Sequence, residues 1–575
     1  MNTWNNYFPF ESPREAQSNV INKVLEEFKN GKRYAIVDCG TGVGKSAIGL
    51  TIARAINNSS EYPGQYDNGS YFLTTQKVLQ EQYEKDFSSK SGLVSLYSSS
   101  NYSCSVDKST SCKEVQTALR AKSLPKKFDC CGYQCKYKIK KKAFIEKDLG
   151  ITNFSYFLTE KNYSQKVPNK KVLVIDEAHN LENELTRFIE ISVSTFFSEK
   201  ILKKKVPQTL NTQGQVFKWI KDEYLAAVIS KCNFIKVQLE KFGISTQKLG
   251  EFQKITKHYD MLNSHQEKIK KFLSLYSSDN WVFDIEQTDK KYKKFIFKPI
   301  DVSKYAKENI LQYADYVIFM SATIISHEGF SLTMGLPHDK IVSIKEPSPF
   351  PAKNRPIIFC PAGSMSFKNI DQTLPVMAKM IESICDHHKD DKGIIHTHSV
   401  KIAKAIVNSV PSKYRKRFIV AYGDNRDEML KKHINSNKPT ILVSPSMSEG
   451  VDLKGDLSRF QVICKIPFPY LGDKVVKKKM NKWDWWYNTQ TVRTIIQSVG
   501  RSIRSEDDVA VTYILDNDWN RLKSRIRNLL PDDFYDSYKE VNSWLRKKIL
   551  WVLKKTLLGL VLYVIMTIEI VLLMN

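Results

Sequence analysis

Tyr34-Ala35-Ile36-Val37-Asp38-Cys39-Gly40-Thr41-Gly42-Val43-Gly44-Lys45-Ser46 is the stretch on which the reading of the whole chain turns. An apolar run of strand length, Tyr34 to Cys39, enters a Gly-rich turn, and helical periodicity starts at about Lys45. Backbone N–H groups of such a turn form an anion nest, and the helix behind it points its positive end at phosphate. Gly40, Thr41, Gly42, Val43 and Gly44 would wrap the phosphates of a nucleotide. Lys45 would reach the β- and γ-phosphates, and Ser46 would ligate Mg²⁺. The general pattern has Gly where this chain has Cys39, a mild departure.

Further apolar runs follow, separated by helical stretches. Ser70 to Thr75, Val172 to Ile175 and Tyr316 to Met320 are expected strands, with a helix from about Gln76 to Phe87. Strands alternating with helices predict an α/β chain with a parallel, doubly wound sheet. Val172-Leu173-Val174-Ile175-Asp176-Glu177 ends a buried strand on two acids. Asp176 would hold Mg²⁺ through its water shell, and Glu177 would orient and deprotonate an attacking water. Glu346 to Pro356 carries Pro347, Pro349, Pro351 and Pro356, so it cannot continue a helix or a central strand and is expected to link two lobes. Beyond it the alternation resumes, with strands expected at Gly393 to Thr397, Arg417 to Tyr422, Thr440 to Ser444, Gln461 to Lys465 and Val509 to Leu515. A helix from Thr491 to Ile503 would carry Gln497, Arg501 and Arg504, the two arginines three apart on one face, to place positive charge beyond a γ-phosphate. Upstream, Arg14 and Gln17 are placed to read an adenine edge, with Phe10 packing nearby.

Two stretches break the alternation. Ser98 to Leu149 is rich in Lys and holds Cys104, Cys112, Cys130, Cys131 and Cys135, five of the ten cysteines. No secretory signal pattern opens the chain, so clustered thiols point to a metal rather than to disulfides, and to a cytoplasmic protein. Leu181 to about Phe297 is mostly amphipathic helix with basic faces, ending in a hairpin around Asp289-Lys290. The composition, 42% hydrophobic and 26% charged, is ordinary for a globular protein, and 575 residues predict about three or four domains. The formal net charge of +27 calls for a polyanionic partner, nucleic acid or an anionic membrane surface. Lys136 to Lys142, just after the last clustered cysteine, is a candidate nucleic-acid contact; Phe154 and Tyr156 are candidate base platforms. Trp483, Trp485, Trp486 and Tyr487, behind the basic run Lys474 to Lys482, are expected to be a packed helix start. Residues 556–574 form a nearly unbroken apolar run behind Arg546, Lys547, Lys548, Lys554 and Lys555, interrupted by Glu569. A membrane tail, a helix packed on the second lobe, and a non-native extension are the three readings of it.

Taken in order, these elements resemble the XPD/DinG family of superfamily 2 iron–sulfur DNA helicases, phage-type DinG-like proteins above all, over about residues 7 to 520. The likeness rests on Arg14 and Gln17, the phosphate loop, the cysteines, Thr152 to Leu158 and the Asp176-Glu177-Ala178-His179 box. It continues through Ser321-Ala322-Thr323, Gly393 to Ser399, Ser448-Glu449-Gly450-Val451-Asp452 and Gln497 to Arg504.

The resemblance implies two RecA-like lobes, with an iron–sulfur insertion and a mostly helical arch insertion in the first. Lobe one would comprise residues 1–97, 150–181 and 306–345, with the cluster insertion at 98–149 and the arch at 182–305. The linker would be 346–356, lobe two 357–545, and the apolar tail 546–575. ATP and Mg²⁺ are the implied cofactors, with a [4Fe–4S] cluster on four of the five cysteines. Cys104, Cys112 and Cys135 match the family best, and either Cys130 or Cys131 is the remaining ligand; zinc on four thiolates is the alternative. Ser321, Ala322 and Thr323, with Gly450 and Asp452, would couple nucleotide state to nucleic-acid grip. The implied activity is ATP-driven 5′→3′ movement on single-stranded DNA with unwinding of forked duplexes. RNA remains an alternative substrate, a membrane an alternative partner through residues 556–574, and host cytoplasm the expected location if the source is viral.

Overall fold

The computed structural model describes residues 4–75, 77–120, 135–241, 249–289, 291–447 and 453–540. In chain order its strands are β1 (Tyr34–Cys39), β2 (Ser70–Thr74), β3 (Val94–Ser95), β4 (Leu149–Asn153), β5 (Val172–Asp176), β6 (Ile191–Ser194), β7 (Trp281–Gln287) and β8 (Lys293–Pro299). They continue as β9 (Tyr316–Ser321), β10 (Ile341–Glu346), β11 (Ile357–Gly363), β12 (Gly393–His396), β13 (Phe418–Val420), β14 (Ile441–Ser444), β15 (Phe460–Ile463), β16 (Val511–Asp516) and β17 (Tyr538–Glu540).

Two seven-stranded sheets organise the molecule, ordered β10-β1-β9-β5-β2-β4-β3 and β13-β14-β12-β15-β16-β11-β17, and every pairing in both is parallel. Parallel strands need crossovers that cover both faces, so their central strands are apolar throughout. β1 illustrates the consequence: Tyr34 and Ile36 pack into one core, while Ala35, Val37 and Cys39 pack into the core on the opposite face. Cys39 is therefore a core residue, and burial pushes its thiol up to about 12.

The segment between β5 and β9 is less purely helical than its periodicity predicts. It holds the helices Leu225–Lys241 and Leu249–Leu275, but also an antiparallel sheet ordered β6-β8-β7. β7 and β8 form the expected hairpin, although Lys290 lies outside the described residues. β6 has only four residues, too few to show an alternating pattern in sequence.

The lobes meet along the helix Asp484–Val499. Trp486 Nε1 donates to Glu182 Oε2 (3.2 Å), Arg493 Nε to Thr323 O (3.1 Å), and Gln497 Nε2 to His179 Nε2 (2.8 Å). Steps of seven and four residues put all three on one helical face. The preceding helix, Lys474–Lys482, adds ion pairs from Lys474 to Asp284, Lys479 to Glu182 and Lys482 to Asp301. Its basic face thus binds carboxylates between β5 and β9, and Trp486 is buried as expected for a packed helix start. Among the described residues no helix is long and apolar enough to cross a membrane, and the apolar run 556–574 lies outside them.

Lys479 and Glu182 are both buried, so removing one leaves an uncompensated charge. Lys479→Ala is expected to lower stability by about 3–5 kcal/mol in denaturant unfolding. Lys474→Ala, at an exposed pair, should cost about 1 kcal/mol or less. Equal effects of the two would contradict the burial argument.

Candidate nucleotide site between the two lobes

A cavity of about 790 Å³ lies between the sheets. Gly40, Thr41, Gly42, Gly44, Lys45, Ser46, Glu177, Ala322 and Thr323 line it from one side; Gln497, Arg501 and Arg504 line it from the other. That volume suits a ligand of nucleotide size. β1 ends beneath it, and the neighbours of β1 in the sheet, β9 and β10, come some three hundred residues later in the chain. The strand therefore opens at its carboxyl end into a crevice between diverging crossovers, where open α/β sheets bind ligands.

Gly42 and Gly44 adopt φ +92° and +91°, which a side chain would make costly, and the 13-residue helix Lys45–Asn57 starts directly behind them. Lys45 Nζ donates back to Cys39 O (3.0 Å), across the mouth of the turn. Arg14 Nη1 donates to Gly42 O (2.7 Å). Gln17 Oε1 accepts from Arg14 N (2.9 Å), and its amide lies so close that a Cβ on Gly44 would sit 2.4 Å from Nε2. Both upstream residues brace the loop. Phe10 is 47% exposed and meets Phe8 and Phe87 edge-on rather than the loop.

Asp176, at the end of β5, accepts from Tyr83 Oη at Oδ2 and from Glu177 N at Oδ1, both 2.9 Å. Burial and the neighbouring Glu177 charge push Asp176 up to about 6, against the lowering field of Lys45. The Tyr83 phenol is also hydrogen-bonded to Ser46, so it joins the two residues expected at Mg²⁺. Glu177 takes the left-handed conformation, φ +51°, and half-buried it turns a carboxylate oxygen to 3.3 Å from His179 Nδ1.

His179 is buried and bonded on both ring nitrogens. Nδ1 lies 2.8 Å from Ser321 Oγ and 3.3 Å from Thr323 Oγ1, and Nε2 is 2.8 Å from Gln497 Nε2. An amide nitrogen can only donate, so Nε2 accepts and the ring proton sits on Nδ1. Burial, with Arg493 and Arg501 nearby, holds the imidazole well below its usual pKa, in the neutral form this pattern needs.

The two arginines do not share a helix. The helix stops at Val499, and Gly500 caps it 3.7 Å, measured from a Cβ built there, from Thr41 Oγ1. The helix thus ends beside the phosphate loop, at a glycine. Arg501 and Arg504 project from the turn instead, Arg501 Nε donating to Gln497 O (3.1 Å) and Arg504 N to Asp508 Oδ2 (2.9 Å).

Residues 11–209 match the family described as type III restriction enzyme, res subunit, and residues 381–536 match the helicase C-terminal domain. ATP-dependent DNA helicase YoaA of Escherichia coli K12 is 22% identical over 88% of this chain and 92% of its own length. A probable ATP-dependent helicase of Methanocaldococcus jannaschii is 23% identical over 92% of this chain and 95% of its own. A solved XPD helicase superposes with TM-score 0.61 at 15% identity, covering 92% of this chain and all of that one; S. tokodaii Xpd4 gives 0.54 at 14% identity with the same coverage. In sequence the chain is similar to ATP-dependent DNA helicases, and in fold to XPD.

Other residues quoted for the family likeness stand as follows. Ser103 and Ser111 form an isolated antiparallel bridge, beside which Cys104 N donates to Thr110 O (2.7 Å) and Cys112 N to Tyr102 O (2.8 Å). Cys112 Sγ lies 3.4 Å from Cys135 Sγ, and Gln116 Nε2 donates to Cys112 Sγ (3.3 Å). Among the described residues no three His, Cys, Asp or Glu side chains are grouped to hold a metal ion; Cys130 and Cys131 lie outside them, as do Gly450 and Asp452. Phe154 and Tyr156 are core residues, not exposed platforms: both are buried, and Tyr156 Oη is 2.8 Å from Tyr137 Oη. Among the lysines after Cys135, Lys140 pairs with Glu84, Lys141 with Glu160 and Lys142 with Glu146. Tyr83, Arg493 and Glu182 were not anticipated, since each acts on a residue far away in sequence and none stands in a local pattern.

Six histidines are held below their usual pKa mainly by burial: His179 well below, His265, His388 and His398 at about 4, His396 at about 3, and His433 lowered as well. In the unfolded chain each would protonate near 6.5, so the unfolded state binds more protons below that pH. Asp176 and Asp516, raised to about 6, act in the opposite sense but are fewer. Stability should therefore fall as pH drops from 6.5 towards 4, each histidine contributing about 1.4 kcal/mol per pH unit above its folded pKa. Urea midpoints at pH 7 and pH 5 check this; an unchanged midpoint would contradict it.

Proposed function

We propose that this chain is an ATP-dependent DNA helicase that moves 5′→3′ along single-stranded DNA in the cytoplasm and opens forked duplexes. The observation that carries the proposal is the one cavity bordered by the phosphate loop and Glu177 on one sheet and by Gln497, Arg501 and Arg504 on the other. Hydrolysis there would draw on both lobes, so each cycle would close and reopen them. The helicase names of the relatives, and the net charge of +27 suited to a polyphosphate backbone, support the substrate class.

In this proposal Ser46 and Asp176 hold Mg²⁺, which neutralises charge on the β- and γ-phosphate oxygens. Glu177 accepts a proton from the attacking water. Arg501 and Arg504 stabilise charge developing on the γ-phosphate, a contribution of about 10³–10⁵ in rate for such a finger. His179 and Gln497 carry the lobe contact, with Ser321 and Thr323 as the strand end that feels it. Cys104, Cys112 and Cys135, with Cys130 or Cys131, would hold a [4Fe–4S] cluster; an all-thiol donor set with an amide N–H on one sulfur suits it chemically.

ATPase assays with and without single-stranded DNA, and unwinding of a fork with a 5′ overhang, test the proposal. Strong stimulation by DNA and unwinding from the 5′ overhang are expected. Stimulation by RNA alone, or a 3′ requirement, would overturn the substrate or the polarity. Glu177→Gln should keep ATP binding within about threefold and lower turnover at least 10²-fold, the scale of a lost general base; retained hydrolysis would remove Glu177 from its role. Protein purified without air should be brown with about four irons per chain, as a [4Fe–4S] cluster requires. Stoichiometric zinc without iron would favour the tetrahedral thiolate alternative.

A further inference from the structure

We propose that Phe350, on the linker between the lobes, is a positioning residue that carries the state of the phosphate loop to the arginine turn. The inference rests on the ATP-driven reading above and names a part that no motif marks. Phe350 is buried and borders the nucleotide cavity. One edge of its ring lies on the loop: a Cβ built on Gly42 would fall 2.2 Å from Phe350 Cζ and 2.5 Å from Cε1. Gly42 is thus needed both for its φ of +92° and for the room it leaves this ring. On its other side Phe350 packs with Ile503 and Ala510 of lobe two. Ile503 lies between Arg501 and Arg504, so one aromatic ring bridges the anion nest and the turn that bears the guanidinium groups.

The linker is fastened so that motion at one end reaches the other. Ser348 Oγ donates to Thr41 O (2.8 Å), and Gly40 N donates to Glu346 O (2.8 Å), continuing the β1–β10 ladder into the loop. Ser348 is so close that a Cβ on Gly40 would lie 2.4 Å from its backbone nitrogen. Downstream, Arg355 Nε donates to Phe350 O (3.2 Å) while its guanidinium pairs with Asp533 of lobe two (2.9 Å). Filling the nest with phosphate moves Gly40 to Gly42; Ser348 and Phe350 must move with them; Ile503 and Asp533 receive the displacement. A stiff, close-packed ring transmits such a shift where a void would absorb it.

The test is the ratio of single-stranded DNA affinities with and without a non-hydrolysable ATP analogue, measured by fluorescence anisotropy. The wild-type ratio is expected to depart from one by about 5–150-fold, the usual range of coupling between two sites. Phe350→Ala should bring it to within about twofold of one, while DNA affinity without nucleotide stays within about threefold of wild type. Phe350→Leu, which keeps bulk, should restore part of the ratio. A merely structural defect would lower both affinities and leave the ratio intact, and that result overturns the inference. If the alanine variant does not fold, Phe350→Leu and Ser348→Ala are measured, and a wild-type ratio in both overturns it equally. A wild-type protein with neither ATPase activity nor any nucleotide effect on DNA affinity would instead bring down the motor reading itself.

Discussion

The hydrogen bond from Gln497 to His179 is the contact around which the two lobes are arranged. It is buried, it joins residues 318 apart in the chain, and it fixes the tautomer of the histidine. With Nε2 accepting, Nδ1–H is left for Ser321, Thr323 or Glu177, all within 3.3 Å. A protonated ring would set N–H against N–H at Gln497 and add charge beside Arg493 and Arg501. Burial and the neighbouring arginines favour the neutral imidazole that this contact needs.

Both sheets contribute to the site by the same rule. Parallel strands expose their carboxyl ends at one edge, and side chains placed there converge without distorting the core. Cys39, Asp176 and Ser321 close β1, β5 and β9, three neighbouring strands, so the phosphate loop, the acidic pair and the serine follow from three adjacent strand ends. Lobe two reaches the same crevice differently. Its contribution comes from the helix Asp484–Val499 and the turn after it, a rigid rod lying along the seam.

The parts legible in the sequence are those whose chemistry needs consecutive residues. The strand–turn–helix around Gly40 to Ser46 and the apolar run into Asp176 and Glu177 are local, and β1 was expected at the same bounds that it occupies. The arginine turn was misjudged because helical periodicity carries on past Gly500, whereas the helix ends at Val499 with Gly500 as its cap. Phe154 and Tyr156 could be read from sequence as base platforms or as core, and they sit where a short helix after β4 turns into the lobe-one core. Glu182 and Lys479 are unremarkable charges until folding brings them together across 297 residues. Tertiary approach, not propensity, decided that pairing.

The position of that helix stop also separates the guanidinium groups from the rod along the seam. On a continuing helix, Arg501 and Arg504 would move only with the whole rod, whose face is tied to His179, Thr323 and Glu182. Placed after Gly500, they hang from a turn with its own anchors: Arg504 N and Ser505 N both donate to Asp508, and Asp508 also accepts from Gly455 N. The turn can then shift against the rod by small changes in a few dihedrals, as hinge segments do, while the buried contacts of the rod stay made. Ile503 packs on Phe350 within this same turn, so whatever displaces the linker acts on the arginines rather than on the helix. The contacts that hold the lobes together and the arginines that line the cavity thus come from adjacent but separately anchored stretches of one chain.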